Sequence, residues 1–320
     1  MKAAVVSSLH APPRYADFPD PVASDDEMIV SVLAVGLHPR VRSQAGGSHY
    51  TSTGVLPLVP GVDGVGRDPA GALRYFVLED TTLGSMAEAI AIDPRRSVIL
   101  PPGCDPVVVA AAMNPAMSSW IALRQRISFS AGGNVLVLGA TGNAGRLAVR
   151  VARLLGASQV IAAGRNAQLL AEMPALGATS TLLLDDDASV TRGRLGQAAS
   201  DLDVVLDYLW GQPAATTMTA LISGRGDRGR PLTWISIGSV AGLNAPIPSA
   251  ALRAARLQVV GSGQGSVATS AILAELPGLA REISNGTLGL DVHAVSLADV
   301  EQAWTDATEA RHRIVITPGR

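Results

Sequence analysis

Lysine is almost absent from this sequence. Of its 25 lysine and arginine residues a single one is a lysine, Lys2, at the start of the 320-residue chain. A Walker phosphate loop, an internal Schiff base and the Tyr-x-x-x-Lys pair of short-chain dehydrogenases each require a lysine well inside the chain. The sequence therefore excludes these three chemistries.

Cysteine and long apolar runs are also scarce. Cys104 is the one cysteine, so the chain cannot form an intramolecular disulfide or a cysteine-rich zinc site. The N-terminal segment contains a proline, Pro12, and an acidic residue, Asp17, in the region where a signal peptide would be apolar. No uninterrupted apolar run approaches the ~18 residues of a membrane span. We expect a soluble, cytoplasmic protein without a membrane partner.

Neither sign of charge dominates. The 25 basic residues face 27 acidic ones, and the formal net charge of −2 at pH 7 points to no nucleic-acid partner. Hydrophobic residues make up 48% and charged residues 16%, which is typical of a globular chain rather than a disordered one. At ~150 residues per domain, the length fits two domains and an enzyme-sized cleft.

From Asn134 to about Gly263, short apolar runs alternate with helical patterns. Continuous apolarity is typical of strands that are covered on both faces, and strand–helix alternation predicts an α/β domain with a doubly wound parallel sheet. Six strands complete a dinucleotide-binding (Rossmann) domain. The candidate strands are Val135–Leu138, Val160–Ala163, Thr181–Leu184, Val204–Leu206, Thr233–Ile237 and Gln258–Gly261.

The segment before this alternation has a different pattern. Met1–Val6, Met28–Val35 and Met86–Ile92 resemble strands separated by turns rich in proline and glycine, which predicts an irregular, mostly antiparallel β domain. Near the end of the chain, Ser266–Ser284 has a helical pattern and His312–Ile316 is a candidate strand. We expect a β-rich domain of residues 1–115 and 266–320, a Rossmann domain of residues 116–265, and a ligand cleft between them.

The segment Asn134–Gly145 carries the strongest functional signal. A buried strand runs into a glycine-rich turn and then into a helical pattern over Arg146–Leu155, which Gly156 is expected to end. Small residues in the turn would let the backbone approach a diphosphate, whose charge the amides and dipole of the helix N-terminus attract. The turn departs from G-x-G-x-x-G, since Ala140 replaces the first glycine. The predicted diphosphate-binding residues are Thr141, Gly142, Asn143, Ala144 and Gly145.

The second strand of the predicted Rossmann domain ends without an acidic residue. An NAD enzyme normally carries Asp or Glu there to bind the ribose 2′-hydroxyl. This sequence has Gly164, Arg165 and Asn166 instead, and an arginine can bind a 2′-phosphate through its fork of N–H donors. These three residues therefore predict NADPH as the cofactor, the alternative being a solvent-facing Arg165 and an Asn166 that only caps the next helix.

Motifs along nearly the whole chain resemble the medium-chain dehydrogenase/reductase superfamily and, within it, the zinc-free quinone oxidoreductase branch. The resemblance implies a GroES-like catalytic domain, a Rossmann domain, hydride transfer from NADPH to a quinone or an α,β-unsaturated carbonyl, and a homodimer. Its motifs are Met1-Lys-Ala-Ala-Val5, Gly36-Leu-His-Pro39, Pro60-Gly-Val-Asp-Gly-Val-Gly66, Gly84-Ser-Met-Ala-Glu88, Leu100-Pro-Pro-Gly103, Ser118-Ser-Trp-Ile-Ala-Leu123, the loop from Ala140 to Gly145, Asp203-Val-Val-Leu-Asp207 and Ser236-Ile-Gly238.

The same resemblance bears on metal binding. Zinc-dependent relatives hold catalytic zinc through a Cys, a His and a further Cys or acid. Here His38 stands at the position of the first ligand, and Val62-Asp63 replaces a His-Glu pair. One imidazole does not complete a tetrahedral site, so we expect no metal. We expect His38 to face the cleft and to contact substrate or ribose.

The resemblance also supplies the candidates for the nicotinamide end of the site. It places Ser118 near the nicotinamide, with Ile237-Gly238 and Gly261-Ser262 in loops that pass over the ring. A tyrosine found in some quinone oxidoreductases corresponds to Ser43 here, which leaves the proton donor open. The catalytic candidates are Ser43, Tyr50, Asn114 and Ser118, since a donor near the acceptor oxygen stabilises the charge that develops there.

Two alternatives to a quinone or enone reductase stay open at this point. The first is a reductase that acts on enoyl thioesters in trans. The second is a catalytically silent NADPH-binding sensor, because the sequence shows no obvious proton donor.

Overall fold

The chain divides into two units. The computed structural model describes residues 1–185, 187–198, 201–307 and 312–319. Unit 1 comprises Met1–Asn114 and Leu273–Arg320, and unit 2 comprises Pro115–Ile272. The boundaries expected from the sequence differ from these by one residue at the first crossing and by seven at the second.

The described residues include the following strands and α-helices. The strands are β1 (Lys2–Val5), β2 (Arg14–Asp17), β3 (Met28–Gly36), β4 (Asp63–Arg67), β5 (Leu73–Val77), β6 (Ala89–Ile92), β7 (Ser97–Ile99), β8 (Asn134–Leu138), β9 (Gln159–Gly164), β10 (Ser180–Leu183), β11 (Val204–Asp207), β12 (Leu232–Ser236), β13 (Leu257–Gly261), β14 (Val292–Ser296) and β15 (Arg313–Thr317). The α-helices are α1 (Pro39–Ala45), α2 (Pro106–Ile121), α3 (Asn143–Leu154), α4 (Ala167–Leu170), α5 (Ala188–Ala198), α6 (Gly211–Gly224), α7 (Ser249–Arg253), α8 (Thr269–Ser284) and α9 (Val300–Asp306).

Unit 2 is built on a parallel sheet with the strand order β10-β9-β8-β11-β12-β13. Counted within the unit this order is 3-2-1-4-5-6, that of a doubly wound dinucleotide-binding sheet. Val135–Leu138 of β8 are all buried, as expected for a strand that is covered on both faces. The predicted fold class and all six predicted strands are confirmed.

The corner between β8 and α3 is held by close backbone packing. A Cβ at Gly145 would overlap the carbonyl oxygen of Gly139 and lie 2.7 Å from the Cα of Ala140, so only glycine lets α3 start this close to β8. Leu147 and Val151 then bury the inner face of α3. Gly156, with a φ of 86°, ends the helical segment, as the sequence predicts.

Unit 1 contains a sheet of order β14-β15-β3-β4-β5-β7, in which β6 also pairs with β3. All pairs in this sheet are antiparallel except β14 with β15. Strands β1 and β2 form a separate antiparallel pair. The predicted mostly antiparallel domain and the predicted terminal strand are confirmed. The core of the unit includes Val30, Val32, Phe76, Met86 and Ile316.

Helix α2 and the π-helical turn that follows it form an apolar helical stretch, Pro106–Arg126. By length and composition alone, this stretch could cross a membrane. However, 67% of its most apolar window is buried inside the protein. A core helix meets the same length and composition test as a membrane span, so this stretch is typical of a buried helix.

Candidate cofactor site and active site

The N-terminus of α3 is available to an anion. Gly142 is the N-cap residue, with φ −78° and ψ 164°, and it supplies no side-chain acceptor for the first amides of the helix. A Cβ at Gly142 would meet only the Gly139 oxygen, at 3.7 Å, so the space in front of this residue is open. Exposed amides at the positive end of a helix dipole suit a diphosphate. The structure thus gives the predicted loop, Thr141–Gly145, the required geometry.

The end of β9 lies beside this loop. The amides of Gly139 and Ala140 both donate to the Ala163 oxygen, at 3.0 and 2.9 Å. A Cβ at Gly164 would lie 2.9 Å from Thr141 Cγ2, so the missing side chain makes room for the loop. Arg165 follows directly and is exposed. The predicted phosphate-binding arginine is therefore solvent-accessible at the same edge of the sheet.

Asn166 caps a helix at this edge. Its Oδ1 accepts the amide N–H of Leu169 at 3.0 Å and so caps α4. An N-cap of this kind satisfies one of the open donors at the start of a helix. The capping alternative considered from the sequence is therefore present, and cofactor binding by Asn166 stays a prediction.

The two loops predicted to pass over the nicotinamide also end strands at this edge. After β12, the amides of Ile237 and Gly238 both donate to the Asp207 oxygen, at 2.8 and 3.1 Å. After β13, Arg126 Nε donates to the Gly261 oxygen at 2.7 Å, and the Ser262 amide donates to the Ser236 oxygen at 2.8 Å. The carboxyl ends of parallel strands form one edge, and ligands bind there in open α/β sheets.

Ser118 forms a pair with a residue that the sequence did not single out, Tyr208. The Ser118 Oγ lies 2.8 Å from the Tyr208 hydroxyl, and Oγ also donates to the Pro115 oxygen at 2.7 Å. Tyr208 follows β11 and is 8% exposed. Burial raises the pKa of Tyr208 to about 12, although the hydrogen bonds with Ser118 and Ser119 oppose the rise. Tyr208 is thus a neutral phenol at physiological pH.

The backbone around Tyr208 is fixed by a buried carboxylate, Asp207. Its Oδ1 accepts the amides of Leu209 and Trp210, at 2.8 and 3.0 Å, and its Oδ2 accepts the indole N–H of Trp234 at 3.0 Å. Burial raises the pKa of Asp207 even though these donors stabilise its charge. Trp210 has a φ of 53°, in the region that favours glycine. Strained backbone of this kind persists only where its surroundings hold it, as Asp207 does here.

In unit 1, His38 is a buried residue. It is 2% exposed, and its Nε2 lies 3.3 Å from Asp63 Oδ1. Asp63 also accepts the Tyr75 hydroxyl at 2.6 Å. Burial lowers the pKa of His38, so the ring is neutral at physiological pH and donates its Nε2–H to Asp63. Asp63 thus holds the ring from one side, and the expectation that His38 faces the ligand cleft stays a prediction.

The Nδ1 atom of His38 is available for the predicted contact with a ribose. The buried Nδ1 has no hydrogen-bond partner among the described residues. A buried polar atom without a partner is uncommon and invites an explanation. In the neutral ring this nitrogen is an acceptor, which suits a hydroxyl donor such as a ribose. Contact with the nucleotide therefore stays a prediction for His38.

The remaining catalytic candidates lie in unit 1. Ser43 is in α1, and its hydroxyl donates to the Arg40 oxygen at 3.1 Å. Tyr50 is 73% exposed, and its ring stacks on His49 with centroids 4.3 Å apart. Asn114 is half-buried in α2. The structure brings Ser43 close to the Tyr50 segment, since the amide of His49 donates to the Ser43 oxygen.

Within the part of the chain that the structure describes, no group of three His, Cys, Asp or Glu side chains is arranged to hold a metal ion. His38, which stands at the position of a zinc ligand, already bonds through its Nε2 to Asp63. The expectation that the protein binds no metal stays a prediction.

The fold and the carboxyl edge of the unit 2 sheet define a dinucleotide-binding protein. No protein-family model matches the chain. The chain is 31% identical to a probable NADPH-dependent quinone reductase of Emericella nidulans, over 99% of this chain and 100% of that protein. It is 26% identical to a chloroplastic NADPH-dependent alkenal/one oxidoreductase of Arabidopsis thaliana, over 59% of this chain and 51% of the relative.

A solved structure shows the same fold. The quinone oxidoreductase of Thermus thermophilus, also solved in complex with NADPH, superimposes with a TM-score of 0.82 at 27% identity, over 99% of this chain and 100% of that one. The chain belongs to the NADPH-dependent quinone oxidoreductases of the medium-chain dehydrogenase/reductase superfamily. This membership confirms the predicted family, the oxidoreductase class and the cofactor NADPH.

Sequence reasoning missed two features of the site. Tyr208 belongs to no motif, although its place directly after a strand next to β8 could have singled it out. The pairing of His38 with Asp63 joins residues 25 positions apart, and a sequence pattern does not report such a contact.

Proposed function

We propose that this protein transfers a hydride from NADPH to a conjugated acceptor, either a quinone or an α,β-unsaturated carbonyl. The observation that carries the proposal is the convergence of four predicted cofactor segments on one edge of the unit 2 sheet. These segments are Thr141–Gly145, Gly164–Asn166, Ile237–Gly238 and Gly261–Ser262. The two relatives support both acceptor types, since one is a probable quinone reductase and the other an alkenal/one oxidoreductase.

Bound NADPH supplies the hydride from its nicotinamide ring. The amides at the start of α3 bind its diphosphate, and Arg165 binds its 2′-phosphate. The loops at Ile237–Gly238 and Gly261–Ser262 hold the ring. Negative charge develops on the acceptor oxygen during transfer, and a hydroxyl or amide donor stabilises it selectively. The candidates for this donor stay Ser43, Tyr50, Asn114 and Ser118.

We propose that the reaction needs no metal. A conjugated acceptor needs less polarisation than a simple ketone, since its charge is delocalised. The engagement of His38 with Asp63 supports this proposal, because the residue at the zinc-ligand position is committed to a buried carboxylate. Turnover that survives dialysis against a chelator supports the proposal, and restoration of a lost activity by Zn²⁺ would refute it.

The central experiment follows NADPH oxidation by the purified chain with matched acceptors. The panel holds a benzoquinone, a naphthoquinone, an open-chain enone and an enoyl thioester, with the saturated ketone as a control. We expect turnover of a quinone or an enone and none of the saturated ketone. Turnover of the thioester alone identifies a trans-acting enoyl reductase, and tight NADPH binding without turnover identifies a sensor.

We further propose a homodimer in a reducing, cytoplasmic compartment. Strand β13 is the last strand of the unit 2 sheet, and its residues Gln258 and Val259 are exposed. An exposed edge strand is a template for pairing with a second chain. The single cysteine, Cys104, fits a compartment in which disulfides do not form.

A further inference from the structure

Tyr208 lies between two of the cofactor segments. A Cβ at Gly139, which lies two residues before the segment Thr141–Gly145, would be 3.3 Å from the Tyr208 Cβ. A Cβ at Gly238, in the loop after β12, would lie 2.7 Å from the Tyr208 backbone oxygen. Tyr208 thus follows β11 at the point where the strand order reverses between β8 and β11, which is where ligands bind in open α/β sheets.

The Ser118 hydroxyl has two neighbouring oxygens within hydrogen-bond distance and one proton to donate. A serine hydroxyl has one proton and two lone pairs. The Ser118 proton can go to the Pro115 oxygen, at 2.7 Å, or to the Tyr208 hydroxyl, at 2.8 Å. When it goes to Pro115, the phenol is the donor to Ser118. One lone pair of Ser118 then accepts from Tyr208, and the other is left for a third partner. In this arrangement Ser118 acts as an acceptor toward a ligand.

This arrangement is held rigidly. Asp207 fixes the two amides that follow Tyr208, and Tyr208 itself is 8% exposed. Ser118, by contrast, is half-buried, so its oxygen can be reached. A buried donor of fixed position that contacts a reachable acceptor is the arrangement expected where a ligand must be oriented.

We propose that Tyr208 is a positioning residue that fixes the Ser118 oxygen as an acceptor for the carboxamide N–H of the nicotinamide. The inference rests on the proposed function, because it assumes that NADPH occupies this edge. Ser118 is the contact residue, and Tyr208 acts through it. A carboxamide held in one orientation presents one face of the nicotinamide to the acceptor, so the pair contributes to alignment for hydride transfer.

The test compares two nucleotides that differ in this one group. The dissociation constants of NADPH and of its reduced 3-acetylpyridine analogue, in which a methyl ketone replaces the carboxamide, are measured by calorimetry. We expect the wild type to prefer NADPH and Tyr208→Phe to lower that preference about three- to tenfold, the effect of one neutral hydrogen bond. Ser118→Ala should abolish the preference, and Tyr208→Phe should then have no further effect. Ser118→Thr should retain it.

The control is Tyr15→Phe, which removes a phenol hydroxyl from β2 of unit 1 and should leave both constants unchanged. An unchanged preference in Tyr208→Phe, or an equal loss in the Ser118→Ala background, refutes the positioning role while leaving the proposed function standing. If Tyr208→Phe does not fold, the same comparison is made with Tyr208→Met, which also lacks the hydroxyl, and an unchanged preference in that variant refutes the positioning role. Failure of the wild type to bind either nucleotide refutes the proposed function itself.

Discussion

Arg165 is the residue that we propose to select between NADPH and NADH. NADPH differs from NADH by a single phosphate on the adenine ribose, and the residue at the end of the second strand meets that ribose. A carboxylate at this position would repel the phosphate, whereas a guanidinium attracts it. Arg165 is exposed directly after Gly164 at the same edge as the open amides of α3.

We predict that Arg165→Ala lowers the preference for NADPH over NADH. The loss should be ~1.5–3 kcal/mol, the range for a charge-assisted hydrogen bond, and NADH binding should change little. Calorimetric titration with both nucleotides measures it. Arg228→Ala is the matched control, because Arg228 is exposed in the loop that precedes β12, at the opposite edge of the sheet. An equal loss in both variants would assign the effect to overall charge.

His38 gives the protein a pH dependence that the sequence does not reveal. Burial lowers its pKa in the folded protein below the ordinary value. Below about pH 6.5, the His38 side chain is therefore protonated to a greater extent in the unfolded chain than in the folded one. The free energy of unfolding should then fall as the pH falls through this range.

We predict that His38→Asn weakens this dependence, and that His49, whose pKa burial also lowers, retains part of it. Asparagine can still donate to Asp63 but does not titrate, so the slope should flatten by up to about 1.4 kcal/mol per pH unit below about pH 6.5. Urea unfolding from about pH 5 to 8 measures the slope in each variant. His10→Asn changes an exposed histidine and should keep the wild-type slope. Identical slopes in wild type and His38→Asn would show that His38 titrates alike in both states.

At the scale of elements, the corner between β8 and α3 assigns separate tasks to its two glycines. Gly145 is needed for packing, since any side chain would overlap the backbone of Gly139. Gly142 has open space around it and dihedral angles that any residue adopts, so packing does not explain it. Its small size suits the diphosphate that we propose to bind at the amides of the helix.

We predict that alanine at Gly145 lowers the stability of the protein, whereas alanine at Gly142 lowers its affinity for NADPH. Gly145→Ala should destabilise the protein by roughly 1–3 kcal/mol, the usual cost of overpacking. Gly142→Ala should leave the melting temperature unchanged and weaken NADPH binding about tenfold, as expected for the loss of one or two amide hydrogen bonds. Thermal unfolding and calorimetry measure the two effects. Unchanged NADPH affinity in Gly142→Ala would place the diphosphate elsewhere.

The elements that the sequence predicts are those with the strongest local signals. The strands of unit 2 are continuous apolar runs, and each prediction falls within a residue or two of the observed strand. Strands β4 and β5 were not predicted, because Asp63-Gly-Val-Gly-Arg67 and Leu73–Val77 carry glycines or charges, and their pairing with distant partners stabilises them. The phosphate loop was predictable because its function depends on local backbone geometry. Tyr208 was not, because its partner Ser118 is 90 positions away.

At the scale of the whole molecule, the homodimer that we propose would form through β13, at one edge of the unit 2 sheet. Two sheets that pair through β13 would form one continuous sheet across a twofold axis. Val259, 37% exposed on this strand, would then lie near the interface. Charged residues on an edge strand discourage such pairing.

We predict that Val259→Lys converts a dimer into a monomer. Light scattering after size-exclusion chromatography measures the molar mass of wild type and variant at equal concentration. Val22→Lys, which places the same charge at a position 88% exposed in unit 1, should remain dimeric. A wild-type protein that is monomeric, or a Val259→Lys variant that stays dimeric, would exclude this edge as the interface.

Unit 1 consists of two segments that are far apart in the chain, and this affects when its strands can pair during synthesis. Strand β3 pairs with β15, and the whole of unit 2 is encoded between them. A ribosome must therefore release almost the entire chain before β3 acquires this neighbour, while every strand of the unit 2 sheet has already left the exit tunnel. Closing so large a loop is slow compared with local pairing. A nascent chain consequently has all strands of the unit 2 sheet available for pairing while the β3 edge of unit 1 still lacks β15.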